Sequence, residues 1–480
     1  MKTLRKNAFL ALLGLSLMVT ACSSGGSSTK NEPASITQAK SGDQTNASGN
    51  DTSSEAKPIT MTIQYPKPDS PESIDLEESK IKRFQEKYPN VTIKKNDWHY
   101  SPSEIGIKMA AHQAQAEFNT FATEGKTLME HQWAADLAPF MSTYEHANDF
   151  NQKLLDPLTI DGNLYAIPTD GYIMSVMINK KLFEAKNVPL PTAEWTWEDF
   201  YNAAKATADP AKGIAGFAIM AKGNEGGWNW TNLLYQAGGQ EENVADGKVT
   251  SAFNSDAGVK AMEFLQKLRW EANALPQNWA LNISDTYNLF KQGRAAIVFG
   301  QDIEGAVNEA GMKREDLMVL PMPSMEKGGD HVGVMGGNYL VINPQESPEV
   351  QQAAFNYVTL DYFNQGGLDE LKRVLEDRKS KSQIYYLDPT GVYYNSESEY
   401  GQKVKEILAQ YPETVFTRDE QSVAVAKGHP EAVYNAQDYY AAITTVMQAV
   451  LSDKNTDVKE LLDKTAKKFD AEVLSKVKAN

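Results

Sequence analysis

One cysteine, Cys22, stands in 480 residues, so neither an internal disulfide nor a cysteine-based zinc cluster is open to this chain. Basic side chains are the minority, 47 against 63 acidic, for a formal net charge of −16. That balance keeps a surface solvated but supplies no basic patch, which excludes nucleic acid and anionic membrane surfaces as partners. The histidines (His99, His112, His131, His146, His331, His429) include no pair at the spacing that sets two imidazoles on one helix face. Gly125–Lys126–Thr127 ends like a phosphate loop, yet Thr120 stands where its opening glycine belongs. Asp453, Asn455 and Asp457 begin like a calcium loop, but Val458 replaces the turning glycine and Lys464 the bidentate glutamate. No G-x-S-x-G elbow occurs. A glycosidase-type carboxylate pair is defined in space and not in sequence, and no pattern points to one. The expectation is a protein without catalytic residues, metal or cofactor.

The N-terminus is rich in signal. Lys2, Arg5 and Lys6 precede an apolar stretch over residues 8–19, the layout of a secretion signal. That stretch is short of the about 20 residues a membrane-spanning helix needs, and later apolar segments are broken by charges. Val19–Thr20–Ala21–Cys22 resembles the lipobox of bacterial lipoproteins. The resemblance implies cleavage of residues 1–21 and acylation of Cys22, and stable anchoring takes more than one chain. From Ser23 to Lys57 the composition is dominated by Ser, Gly, Thr, Asn, Ala and Lys, with Ile36 the only large aliphatic. Too little apolar surface is present there to offset the entropy of ordering, so residues 22–57 read as a lipidated cysteine followed by a flexible linker.

Order is expected from "ITMTIQY", where Ile59, Met61, Ile63 and Tyr65 alternate as in a strand. A helical stretch follows with Ile81, Phe84 and Tyr88 on one face, stops at Pro89–Asn90, and gives way to the strand "VTIKK". Repeated strand–helix–strand units predict an α/β fold of parallel sheets covered by helices, and the length predicts more than one lobe. Thr196–Trp197–Glu198–Asp199 reads as a capping box, and Ser347–Pro348 as a cap followed by proline at the first helical position. "AAIVF" at 295–299 and "YLVI" at 339–342 read as buried strands, and the chain from Gln437 as all-helical.

Six phrases occur in a fixed order: "GNLYAIPTDGYIMSVMINKKLFEAKNVPLPTAEWTWEDF", "LLYQAGG", "LFKQGRAAIVFG", "GGNYLVINPQESPEVQQAAFNYV" and "YYAAITTVMQAVLSDKNTDVKELLDK", preceded by "FQEKYPNVTI". From Ile59 to the end they resemble the family 1 extracellular solute-binding proteins that feed sugar ABC importers. The resemblance implies a periplasmic-binding-protein-like fold, two α/β lobes joined by a multi-strand hinge with the ligand cleft between them. It implies an N-terminal lobe from 58–170 and 335–387, a C-terminal lobe from 171–334 and 388–480, and crossings near Thr169–Ser175, Val334–Tyr339 and Tyr385–Tyr393.

By the same resemblance, Trp228 and Trp230 are stacking candidates just before a helix, with alternate positions splitting between cleft and core. Tyr439 is a further stacking candidate on the last long helix, and Tyr65 belongs to the first-lobe rim. Glu124 takes the place of a first-lobe polar contact, and Asp170 and Tyr172 fall on the first crossing. Many relatives have tryptophan after "AAIVFG"; this chain has Gln301–Asp302–Ile303–Glu304, which makes Asp302 a hydrogen-bonding candidate. Asn338 follows the glycines of the second crossing.

The implied function is a monomeric receptor, lipid-anchored on the extracellular face of the cell membrane. It would capture an oligosaccharide by hinge closure and deliver it to ABC transporter permease subunits. Two alternatives stand beside this reading. One is a receptor of the same fold for a polyamine, peptide or polyol, which the carboxylates Glu124, Asp170, Asp302 and Glu304 would suit. The other is an anchored polysaccharide hydrolase or lyase.

Overall fold

Two large hydrophobic cores, and a smaller third on the other face of the second sheet, organise the chain in the computed structural model, which describes residues 57–68 and 70–477. The expected signal segment 1–21, Cys22 and the expected linker up to residue 56 lie outside the described residues. Among the described residues no helix is long and apolar enough to cross a membrane.

The first core is built on the strand Ile59–Gln64, which buries Met61 and Ile63 as its alternation predicts. It runs parallel to Val91–Asn96 and to Glu117–Phe121. The helix Pro71–Lys87 links the first two strands and buries Ile81 and Phe84. It ends just before Pro89, which cannot continue a helix.

The long strand His331–Ile342 completes this sheet and divides its edges among three partners. Its first half pairs in parallel with Ala426–Pro430, and its second half runs antiparallel to Ile167–Ile173 and Glu117–Phe121.

In the second sheet, Ser175–Asn179 runs antiparallel to both Ala295–Phe299 and Leu317–Pro321, and Ala295–Phe299 is parallel to Ala215–Ala218. Every residue of Ser175–Asn179 and Ala295–Phe299 is buried, the pattern of strands covered on both faces. The helix Trp197–Thr207 opens on the predicted capping box, with Thr196 and Asp199 serving each other's backbone. Helix Gly223–Gln236 packs against Ala436–Ser452 at very short range. A Cβ on Gly227 would strike the Tyr440 backbone, and the Gly227 N–H donates to Thr444 Oγ1 at 2.7 Å.

Three segments run side by side between the cores. Only Met174 separates Ile167–Ile173 from Ser175–Asn179, and its N–H donates to the Val334 carbonyl at 2.8 Å. Gly171 donates to the Gly391 carbonyl at 2.6 Å, and the Ile173 N–H donates to Thr390 Oγ1 at 3.1 Å. One segment departs from the expected lobe division. After the third crossing the chain returns to the first core, where Tyr394, Tyr400, Val404 and Ile407 are buried, instead of entering the second lobe at residue 388. The apolar face Tyr400, Val404 and Ile407 of helix Glu399–Leu408 drives this, since those positions lie on one side of a helix. The chain joins the second core from Ala432 onward.

The two false motifs resolve into ordinary structure. Asp457 caps helix Val458–Glu472 by accepting the Glu460 N–H at 2.9 Å. Gly125–Lys126–Thr127 opens the short helix Gly125–Glu130.

Candidate functional site

The hinge strands supply a floor. In the antiparallel register Tyr172 faces Gly336 and Asp170 faces Asn338, so all four positions present the same face of the sheet. Asn338 Nδ2 donates to Asp170 Oδ1 at 2.7 Å. Asp170 is open to solvent but ringed by the surrounding walls. Their desolvation pushes its carboxyl above the usual range, against the donors Asn338 and Thr169. Gly336 lets two other groups approach. The Tyr172 hydroxyl and the Glu431 carboxylate both crowd the position a Cβ would take.

Tyr172 meets Trp228 edge to face, with centroids 6.2 Å apart and planes at 88°. With Met174, Tyr287, Gln301 and Asp302 they line a cavity of ≈ 280 Å³. Asp302 is ion-paired with Lys291 at 2.7 Å, and Gln301 Nε2 donates to the Ile173 carbonyl at 2.8 Å. This cavity therefore joins one partly buried aromatic pair to amide and carboxylate groups, a combination suited to a ligand with apolar faces and hydroxyl edges.

A cavity of ≈ 690 Å³ has walls from both lobes, with Thr123, Glu124 and His131 on one side and Gln437, Asp438 and Glu472 on the other. Glu124 is buried, accepts from the Tyr100 and Thr123 hydroxyls, and has its carboxyl raised by desolvation. Gln437 bridges the lobes, donating to Thr123 Oγ1 at 3.1 Å while accepting from Asn224 Nδ2 at 2.9 Å. Beside it, the Lys126 ammonium lies 4.9 Å from the centre of the Tyr434 ring. A further cavity of ≈ 300 Å³ has Lys126 and Asp156 facing Glu431. Desolvation raises the Glu431 carboxyl to about 8, although the Tyr440 hydroxyl donates to it. Among the described residues no group of three or more His, Cys, Asp or Glu is placed to hold a metal ion.

The structure brings together Asp170, Tyr172, Trp228, Asp302 and Asn338, and sets Glu124 in the separate, larger cavity. Two expected stacking residues are instead core. Trp230 is 0% exposed, and Tyr439 is 1% exposed with its hydroxyl paired to Thr231 Oγ1 at 3.0 Å. The physical reason is that the helix begins at Gly223, ahead of both tryptophans. Residues two apart on a helix point to nearly opposite sides, so Trp228 on the cavity side sends Trp230 into the core. Tyr65 is also engaged elsewhere, donating to Glu78 on helix Pro71–Lys87 beneath the Lys95 ammonium. Glu304, counted among the acidic cleft candidates, accepts from Arg378 at 2.6 Å and from the Tyr386 N–H at 2.7 Å.

Sequence reasoning missed Tyr287, Gln437 and Glu431. Glu431 follows "KGHP", which carries no motif, and only the tertiary environment makes its carboxyl unusual.

Residues 70–361 match the family described as bacterial extracellular solute-binding protein. The arabinooligosaccharide-binding protein of Bacillus subtilis (strain 168) is 22% identical over 292 residues, covering 57% of this chain and 63% of that protein. Lipoprotein LipO of the same organism is 23% identical over 281 residues, covering 55% of this chain and 54% of that protein. The match thus spans less than two thirds of either relative's length. An ABC transporter solute-binding protein from Thermotoga lettingae TMO, solved bound with alpha-D-tagatose, superposes with a TM-score of 0.66. At 21% identity it covers 86% of this chain and 99% of that one. The fold is α/β and periplasmic-binding-protein-like, two lobes joined by a multi-strand hinge.

Proposed function

The chain belongs to the bacterial extracellular solute-binding protein family, and from that premise we propose that it captures an oligosaccharide between its lobes for an ABC importer. The observation that carries the carbohydrate reading is the Trp228–Tyr172 pair set beside Asp302, Gln301 and the Asp170–Asn338 floor. Aromatic carbon takes the apolar C–H face of a sugar ring, at about 25 cal/mol per Å² removed from water. Planar polar groups then select which hydroxyls fit. The names of the arabinooligosaccharide-binding relative and the tagatose-bound structure support a sugar over other solutes.

Capture works by closure. A ligand shifts open toward closed only through contacts it makes better in the closed form, so groups from both lobes must touch it. The Gln437–Thr123 bridge and the Lys126–Tyr434 contact are the kind of interlobe contacts that such a closed form uses. The permease then reads the closed form, and the receptor turns nothing over. Cys22 is the lipid attachment point, residues 23–57 are the tether, and the receptor acts on the extracellular face of the cell membrane. The lipoprotein relative supports this placement.

A cationic solute is the second reading, favoured by Glu124, Glu130, Asp438 and Glu472 around the interlobe cavity. A thermal-shift screen across sugars, polyamines and peptides separates the two. A ligand at about 100 times its dissociation constant stabilises by about 2.7 kcal/mol. Shifts with oligosaccharides are expected; shifts with amines alone would overturn the sugar reading. Release of shorter products from any oligosaccharide would overturn the receptor reading.

A further inference from the structure

The first crossing strand, Ile167–Ile173, has one edge against His331–Ile342 and the other facing the third crossing. Backbone N–H groups shielded from water on that second edge need acceptors, and the turn Asp388–Gly391 supplies them. The Gly171 N–H donates to the Gly391 carbonyl at 2.6 Å, and the Ile173 N–H donates to Thr390 Oγ1 at 3.1 Å. Between those two anchors sits Tyr172, the ring that meets Trp228. The approach is backbone to backbone. A Cβ on Gly391 would lie 1.9 Å from the Gly171 carbonyl oxygen and 2.5 Å from the Tyr172 nitrogen.

The turn is itself held from behind. Thr390 donates twice to Asp388 Oδ1, from its N–H at 2.9 Å and from its hydroxyl at 2.8 Å. With the hydroxyl proton committed to Asp388, the Thr390 oxygen is left to accept from the Ile173 N–H. Asp388 in turn pairs with Arg418 at 3.5 Å, their side chains 9% and 0% exposed. Hydrogen bonds to an ion-paired carboxylate are stronger than neutral ones. A continuous chain of polar contacts thus runs from the crossing strand through Thr390 and Asp388 to a buried guanidinium.

We propose that Thr390 is a positioning residue for the Trp228 cavity. It lines neither that cavity nor the larger one between the lobes. With Gly391 it fixes the backbone on both sides of Tyr172, and so the angle at which that ring meets Trp228. Without the hydroxyl the Ile173 N–H loses its acceptor, the end of the strand is released, and the edge-to-face contact is no longer held. This inference rests on the Trp228 cavity being where ligand seats, and adds a residue outside the cavity that sets its shape.

The test uses the purified protein unaltered and as Thr390→Val, Thr390→Ser, Tyr172→Ala and the double variant Thr390→Val with Tyr172→Ala. Hydrogen exchange across residues 167–175 is measured without ligand, and calorimetric titration uses linear arabino-oligosaccharides and malto-oligosaccharides. Thr390→Val should speed exchange at Gly171–Ile173 and weaken the sugar that binds about fivefold, as for one lost hydrogen bond. Thr390→Ser keeps the hydroxyl and should match the unaltered protein in both measurements. In the Tyr172→Ala background Thr390→Val should cost no further affinity, because its effect runs through that ring. Unchanged exchange in Thr390→Val, or a second fivefold loss in the Tyr172→Ala background, would overturn the positioning role and leave the site reading standing. Full affinity in Tyr172→Ala would overturn both. If no sugar binds the unaltered protein, the carbohydrate reading falls by itself. Exchange then still decides Thr390: faster in Thr390→Val upholds its hold on the strand, and unchanged overturns it.

Discussion

Tyr172, on the first strand that crosses between the lobes, meets Trp228, on a second-lobe helix, edge to face at 6.2 Å. The pair joins the hinge strand to a cavity wall, so a ligand seated on Trp228, as proposed, would also touch Tyr172 on that strand.

Replacing Trp228 by alanine should weaken oligosaccharide binding by about ten- to a hundredfold, the equivalent of losing about 1.5–3 kcal/mol of aromatic burial. The fold should survive, because Trp228 is only partly buried. Trp230→Ala should do the reverse, costing about 3–5 kcal/mol of stability for a large cavity in the core. Calorimetry and thermal melts on both variants check the pair. Equal binding loss from the two would place Trp230 in the site after all.

Gly336→Ala places a methyl group against the Tyr172 hydroxyl and close to Glu431. Tyr172 must shift, and its contact with Trp228 with it. The expected results are weaker ligand binding and a changed Trp228 emission, the latter read against a Trp228→Phe background. Adding Tyr172→Phe shortens the obstructing ring and should restore part of the affinity. No change in either readout would mean that the strand gives way without cost.

Stability should fall as pH rises from about 5 to about 8. Burial raises Glu431 from 4.5 to about 8 and Glu241 from 4.5 to about 7. The folded state therefore holds protons that the unfolded chain releases near its ordinary carboxylate range. Their contribution is complete below that range and is lost as pH climbs through 7 and 8. Glu431→Gln should flatten the upper part of the curve, measured as melting temperature against pH. A steeper or unaltered slope in that variant would assign the effect to other groups.

Asn338→Leu removes a donor that holds the Asp170 carboxyl down while desolvation pushes it up. Asp170 should then take its proton at higher pH, and the pH profile of ligand affinity should move in the same direction. A profile that stays in place would separate Asp170 from the binding equilibrium.

Cys22→Ala should abolish lipid attachment while leaving ligand affinity unchanged, since the residues that line the cavities begin far beyond the linker. Detergent phase partitioning reports the first and calorimetry the second. Retained partitioning would remove Cys22 as the anchor.

The sequence by itself determined the parts that depend on local order. Alternation wrote the strand Ile59–Gln64, the Thr196–Asp199 box started its helix where expected, and Ser347–Pro348 did the same for Pro348–Val358. These signals are local because backbone dihedrals and capping bonds act over a few residues. Six ordered phrases were enough to imply the two-lobed fold. Asp170 and Asn338 could be placed on crossings for the same reason, each lying inside such a phrase.

Only the tertiary structure decided which side each aromatic faces. Trp228 and Trp230 read alike as letters; the start of their helix at Gly223 sends one to a cavity and the other to the core. It likewise returned Tyr394 and Tyr400 to the first core, and gathered Tyr362 and Tyr393 beside Glu304 from segments far apart in the chain. The buried state of Glu431 belongs with these. Desolvation is a property of everything packed around a group, contributed here by distant strands and helices, and no local pattern encodes it.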